Sequence, residues 1–120
     1  MPTYCFRVRI FYNRANIDGE EVSRKYTPIS SIHTKGKVEV LIKVYYKNEI
    51  FLNGGKMSQY VDRLKLNETI DVRGPFGILN YLGDGEFEKG TKSKQKFKFN
   101  ELLLIGGGTG ITPLYQVIIF

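Results

Sequence analysis

Three short stretches combine residue types able to hold a ligand that is both phosphorylated and aromatic. The first is Arg24-Lys25-Tyr26-Thr27-Pro28-Ile29-Ser30. On a strand Arg24 and Tyr26 share a face, so a cation and an aromatic plate point the same way. Such a pair can grip a phosphate and a flat ring of one ligand. Taken alone it is equally a strand with an exposed Arg and a half-buried Tyr, and that plainer reading is the commoner one. The second is Gly54-Gly55-Lys56-Met57-Ser58-Gln59-Tyr60. Glycines ahead of a helix whose first turn carries Lys and Ser make an anion site, or else an ordinary capped loop. The third is LLLIGGGTGITP, residues 102–113. Its glycines let the main chain approach a phosphate or ring closely, and its amides and helix start attract anions. It lacks the G-K-[ST] of a P-loop, and Pro113 occupies the last place of a G-x-G-x-x-G pattern. Alone it is balanced between a nucleotide loop and a tight structural turn.

The rest of the composition narrows the chemistry. At 120 residues the chain suits one core, with 42% hydrophobic and 25% charged residues, as in ordinary globular proteins. No apolar run approaches the roughly 20 residues that span a bilayer, and Arg7 and Arg9 interrupt the N-terminal apolar segment, so no signal-peptide core is visible. The single cysteine, Cys5, excludes an internal disulfide and fits a reducing compartment. With one Cys and one His, His33, neither a protein-made metal site nor Cys–His or Ser–His nucleophilic catalysis is expected. The chemistry is therefore expected from a bound cofactor. A net charge of +6 favours an anionic ligand or partner. Part of it lies in EFEKGTKSKQKFKFNE, with Lys89, Lys92, Lys94, Lys96 and Lys98, read as a solvated, mobile hairpin rather than a binding site.

These motifs need elements to position them. Phe6, Val8, Ile10 and Tyr12 alternate with Arg7, Arg9 and Phe11, predicting a strand with one mostly buried face. Asn16-Ile17-Asp18-Gly19 is a turn, from which a hairpin returns through EEVSRKYT. KVEVLIKVYY is the clearest strand, with Val38, Val40, Ile42 and Val44 on one face and Glu39, Leu41, Lys43 and Tyr45 on the other. MSQYVDRLK is the one internal helix, and ETIDVRG a further strand ended by Gly74-Pro75. Short strands with one helix predict a small closed or half-closed barrel. ELLLI breaks the alternation and reads as a strand buried on both faces of a parallel sheet. Thr112 and Pro113 then serve as N-cap and first residue of the helix PLYQVIIF.

In their order and spacing, RKYTPIS, VLIKVYYK, GGKMSQYVDRL, RGPFG and IGGGTGITP resemble the NADH-cytochrome b5 reductase branch of the ferredoxin-reductase superfamily, from Ile10 to Val117. Similar modules occur in nitrate reductase and in fused b5–reductase proteins. The resemblance implies a mainly β fold: a small antiparallel, Greek-key-like FAD-binding barrel with one internal helix over residues 1–100. Residues 101–120 would be the first strand–loop–helix of a parallel α/β NADH domain. It also implies site residues. Arg24 would pair with the FAD pyrophosphate, Tyr26 would pack along the flavin and ribityl chain, and Thr27 would lie near the ring edge where hydride arrives, the catalytic position. Lys25 stands within the same cofactor-binding run. Leu41, Lys43 and Tyr46 match FAD-contacting positions, with Tyr45 a weaker candidate. Lys56, Met57 and Ser58 match the turn that holds the diphosphate, and Thr112 matches a flavin contact. Gly107, Gly108, Thr109 and Gly110 match the NADH-side loop.

The sequence departs from the family in having Lys25 where a Pro is usual, in a shortened loop before GGKMS, and in stopping a few residues into the second lobe. Barrel residues are also missing on the N-terminal side. The expectation is thus a chain truncated at both ends, with NADH as co-substrate of the complete enzyme and an acidic haem protein such as cytochrome b5 as acceptor. Turnover of NADH by this chain alone is not expected to be efficient. Exposure of LLLI and LYQVIIF would favour self-association. A cytoplasmic location, or the cytoplasmic face of a membrane in the parent, follows from the resemblance. Two alternatives stand beside it: an inactive truncated flavodomain, and a basic barrel whose eight Tyr and eight Phe stack on single-stranded nucleic acid. The second leaves the flavin motifs unexplained, and nucleic acid is not the expected partner.

Overall fold

The computed structural model describes residues 6–7 and 10–119; Cys5, Val8 and Arg9 lie outside them. In chain order the elements are β1 (Phe6–Arg7), β2 (Ile10–Ile17), β3 (Glu20–Tyr26), α1 (Lys56–Arg63), β4 (Asp71–Phe76), β5 (Leu79–Gly83), β6 (Glu86–Lys89), β7 (Gln95–Lys98) and α2 (Ile111–Ile118). The mainly β, antiparallel architecture expected from sequence takes the form of two sheets, ordered β1-β5-β6-β7 and β3-β2-β4.

Two Asp-Gly turns build these sheets. Asp18 and Gly19, at φ 53° and 81°, join β2 to β3, whose register sets Ile17 opposite Glu20. Asp84 and Gly85, at φ 49° and 74°, join β5 to β6 in the same way. Both central residues of such a turn need φ > 0, which Asp tolerates and Gly supplies, and the resulting twist matches that of the flanking strands. The second turn was legible in the sequence as Asp84-Gly85 yet was not singled out there.

The buried face of β2 is not the one the alternation suggested. Asn13, Ala15 and Ile17 are buried, while Ile10, Phe11 and Tyr12 are each half-buried. A register irregularity against β4 falls between Ile10 and Tyr12, and such a bulge resets which side chains face inward. Tyr12 instead lies on the other face, edge-on to Phe76 at 5.3 Å, with the Lys25 ammonium 5.3 Å above its ring. β4 does not end at Gly74-Pro75 but runs through it to Phe76. It is an edge strand, where a proline removes no ladder bond the sheet needs.

Residues 37–46, expected as the clearest strand, form no ladder. One bridge, Pro28 opposite Val40, ties them to the chain just past β3, with the Ile29 N–H donating to the Glu39 carbonyl at 2.8 Å. The alternation itself survives over its second half: Ile42 and Val44 are half-buried, and Leu41, Lys43 and Tyr45 face outward. ELLLI also differs from expectation. Residues 101–105 belong to no strand among the described residues, and Leu103 and Ile105 are each 83% exposed. A parallel strand exists only beside a neighbour, and no described strand lies there.

The small core lies between the β2–β3 hairpin and α1. Ala15, Ile17, Val22 and Met57 are buried together, with Tyr26, Tyr60, Val61 and Ile70 packed around them. Met57, 2% exposed, contributes roughly 1.5–3 kcal/mol by burial. This contact fixes the first turn of α1 beside the end of β3. A second cluster stacks Tyr81, Phe87 and Phe99 on the other sheet, with centroids 4.9 and 6.0 Å apart. The lysine-rich stretch is the β6–β7 hairpin, as expected, with Lys94 and Lys98 paired to Glu88 and Glu86 at 2.9 and 3.3 Å.

Candidate functional site

A cleft of about 660 Å³ opens where β3, the extended segment 41–45, the start of α1 and the start of α2 converge. Its walls include Arg24, Lys25, Tyr26 and Thr27; Leu41, Ile42, Lys43 and Tyr45; Asn53 to Ser58; and Thr109, Gly110, Thr112 and Pro113. The three motifs, up to 89 residues apart in sequence, therefore meet at one place. Tyr46, Gly107 and Gly108 are not among the lining residues. Tyr46 is turned to α1, where its hydroxyl donates to Asp62 Oδ2 at 2.8 Å and its pKa is raised by that hydrogen bond.

Strand alternation decides what β3 offers. Arg24 and Tyr26 share the face of buried Val22. The Arg24 Nη1 donates to the Ser23 carbonyl at 2.8 Å. Its guanidinium is in no ion pair among the described residues. Tyr26 is half-buried beside it; burial raises its pKa, and the neighbouring Arg24 charge opposes that rise. Lys25 lines the cleft too, but its ammonium is turned to the Tyr12 ring on the opposite side of the sheet.

The start of α1 is a set of free amides rather than a set of free side chains. Gly55 caps it with extended dihedrals and no side-chain hydrogen bond, and no acidic residue stands in the first turn. The helix amides of Lys56, Met57 and Ser58 thus have no intrahelical partner. The Met57 side chain points into the core, so main chain is what Met57 gives the cleft. The Ser58 hydroxyl is spent internally: it donates to the Gly55 carbonyl at 3.1 Å and accepts the Tyr45 N–H at 3.2 Å. That pair, with the Gly55 N–H donating to the Tyr45 carbonyl at 2.8 Å, laces the 41–45 wall to the helix. Glycine is required here, because a Cβ on Gly54, at φ 62°, would collide with the Gln59 side chain and the Tyr45 carbonyl. Lys56 is paired with Glu20 at 2.5 Å, and this pairing lowers the Glu20 pKa. Across the cleft the Lys43 ammonium lies 5.2 Å above the Tyr45 ring.

The α2 wall begins earlier than the sequence suggested. A 3₁₀ turn over Gly108–Gly110 starts the winding, and Gly110 rather than Thr112 is the N-cap. Thr112 is the second helical residue, its hydroxyl donating to the Thr109 carbonyl at 3.0 Å. Pro113 still falls in the first turn, where a missing N–H costs nothing. Gln116 was not singled out in the sequence, since nothing marks a glutamine in an apolar helix. It is 3% exposed, and its Nε2 donates to the Pro28 carbonyl at 2.8 Å.

Arg24, Lys25, Lys43 and Lys56 are the charged residues of this lining, with no Asp or Glu. Cations, unpaired helix amides and two tyrosine rings fit a diphosphate joined to flat rings. The oxidoreductase FAD-binding domain family matches residues 8–81. The chain belongs to that family. Its residue 8–81 match spans more than half of the sequence and takes in the Arg24–Ser30 and Gly54–Tyr60 motifs.

This FAD-binding domain is similar to part of NADH-cytochrome b5 reductases and of nitrate reductases. It is 50% identical over 113 residues to NADH-cytochrome b5 reductase 2 of Gallus gallus, covering 89% of this chain and 37% of that protein. It is 47% identical over 105 residues to the NADH nitrate reductase of Spinacia oleracea, covering 86% of this chain and 11% of that one. The crystal structure of the cytochrome b5 reductase domain of Ulva prolifera nitrate reductase superposes with a TM-score of 0.81 at 32% identity, over 94% of this chain and 43% of that chain. The chain thus spans little more than a third of the length of the NADH-cytochrome b5 reductases it matches, and about a tenth of the nitrate reductases. The family match displaces the single-stranded nucleic acid reading. Among the described residues no helix is long and apolar enough to cross a membrane.

Proposed function

We propose that this chain is the flavin-holding part of an oxidoreductase passing electrons from NADH to a haem protein, with FAD lodged in the cleft between β3, α1 and α2. The observation that carries this reading is the convergence of three distant motifs on one cation-lined cleft without a carboxylate in its lining. When bound, FAD supplies the redox chemistry, taking a hydride from NADH and releasing electrons singly. The protein binds and orients. Arg24, in no ion pair among the described residues, and the amides opening α1 would hold the diphosphate. Tyr26 would lie along the flavin, with Thr27 and Thr112 on opposite walls of the cleft and Leu41 and Lys43 on the third. Lys25 contributes main chain, and Lys56 acts from the rim, where Glu20 holds it. Met57 and Ser58 fix the helix start rather than reach out from it. Tyr46 would act only at the edge, on the side of Asp62.

On this reading residues 1–100 form the FAD unit, and 101–120 open the unit that receives NADH, with Gly107 to Gly110 facing the nicotinamide side. The relatives named for NADH and cytochrome b5 support both assignments. The net charge of +6 supports an acidic haem protein as acceptor, through on-rate and salt dependence more than affinity. The single cysteine supports a cytoplasmic setting.

The test is electron delivery. The chain is loaded with FAD, reduced photochemically under nitrogen and mixed with ferricytochrome b5. Reduction of the haem, slowing as salt is raised, is the expected result. Haem that stays ferric in contact with the reduced chain would contradict the reading.

A further inference from the structure

We propose that Gln116 is a positioning residue, setting how far the α2 wall of the cleft stands from the β3 wall. The inference rests on the FAD reading of that cleft and concerns how its two sides are held in register. The cleft has Tyr26 and Thr27 on one wall and Thr109, Gly110, Thr112 and Pro113 on another, contributed by segments more than 80 residues apart in sequence. Neither wall belongs to a sheet that contains the other. Among the described residues, no β-ladder joins α2 to β3.

Gln116 spans this gap. It follows Thr112 by four residues in one helix, so the two side chains lie on the same face. Its carboxamide donates to the carbonyl of Pro28, the residue directly after Thr27, at 2.8 Å. One hydrogen bond therefore joins the residue next to Thr27 to the helix turn next to Thr112. Gln116 is 3% exposed, so water cannot readily replace the bond if it is lost. The close fit at the loop reinforces the arrangement. A Cβ on Gly106 would collide with the Leu114 side chain, so the glycine loop folds directly onto the helix that Gln116 anchors. Loop, helix and strand end move as one body when the tie is intact, and the α2 wall is free to shift when it is not.

The experiment compares three forms of the chain: wild type, Gln116→Met and Gln116→Glu. Methionine keeps length and helix preference and removes the donor. Glutamate can donate to the Pro28 carbonyl only when protonated, and repels it when ionised. FAD affinity and the visible circular dichroism of bound FAD are measured from neutral pH down through the carboxylate range. Gln116→Met should retain the wild-type far-ultraviolet spectrum, bind FAD about tenfold more weakly and give an altered flavin dichroism. Gln116→Glu should match that loss at neutral pH and recover towards wild type on acidification. If Gln116→Met does not fold, the pH series on Gln116→Glu alone decides. Wild-type affinity and flavin dichroism in Gln116→Met, or Gln116→Glu showing no recovery at any pH, would overturn the proposal while leaving FAD binding intact. A wild-type chain that takes up no FAD would overturn the cofactor reading and this proposal together.

Discussion

Arg24 is the side chain whose removal most directly disarms the anion end of the cleft, because its guanidinium is in no ion pair among the described residues and donates to the Ser23 carbonyl. Hydrogen bonds to charged groups are worth roughly 1.5–3 kcal/mol, and each 1.4 kcal/mol is about tenfold in affinity. Arg24→Leu should therefore weaken FAD binding about 10- to 100-fold with little change in melting temperature, as read by flavin fluorescence titration and thermal unfolding. Equal affinity in the two proteins would remove Arg24 from the site. At this scale the sequence was informative where spacing forces a face. Arg24 and Tyr26 could be paired from strand alternation, and Lys43 from the alternation of its own segment. It was uninformative where a side chain has a choice of partners. Nothing in the sequence says that Tyr46 turns to Asp62, that Lys56 is engaged by Glu20, or that the Ser58 hydroxyl is consumed between Gly55 and Tyr45.

Elements were legible where their signal is local. The turn expected over Asn16 to Gly19 is there but tighter, since Asn16 and Ile17 remain in β2 and only Asp18-Gly19 turns, and Gly54-Gly55 marked the start of α1. Where an element depends on a neighbour the signal was incomplete: KVEVLIKVYY has the alternation of a strand and keeps it, yet pairs at a single bridge. Alternation encodes which residues face inward, not whether a second strand lies alongside. The β5–β6–β7 sheet also carries a pH dependence. Glu88, nearly buried, accepts from Lys94 at 2.9 Å and from Asn80 at 3.1 Å; the Lys94 bond chiefly lowers its pKa, against the upward pull of burial. Because the folded value is depressed, the stabilisation is fully present above the ordinary carboxylate pKa of about 4.3. It is lost as pH falls through the lower folded value. Thermal melts over that range should show wild type losing stability on acidification more steeply than Glu88→Gln. Parallel pH profiles would show that the Glu88 contacts add nothing to the folded state.

The whole molecule is more open than a self-contained domain of its length. Its radius of gyration is 16.9 Å, against about 13–14 Å for a compact chain of this size. Val38, Leu41, Leu102, Leu103 and Ile105 are all exposed. These segments are patterned for cover that the described residues do not supply. Reading faces from sequence cannot reveal that, because the pattern is the same whether or not the covering partner is present. What does close within this chain is the cleft, held by the Met57 core on one side and the Gln116 tie on the other. Occupation of that cleft by FAD is read out by hydrogen exchange with and without FAD. FAD should slow amide exchange in residues 24–27, 54–58 and 109–112 and leave the β5–β6–β7 sheet unaffected. Protection confined to that sheet, or absent from the three segments at saturating FAD, would contradict it.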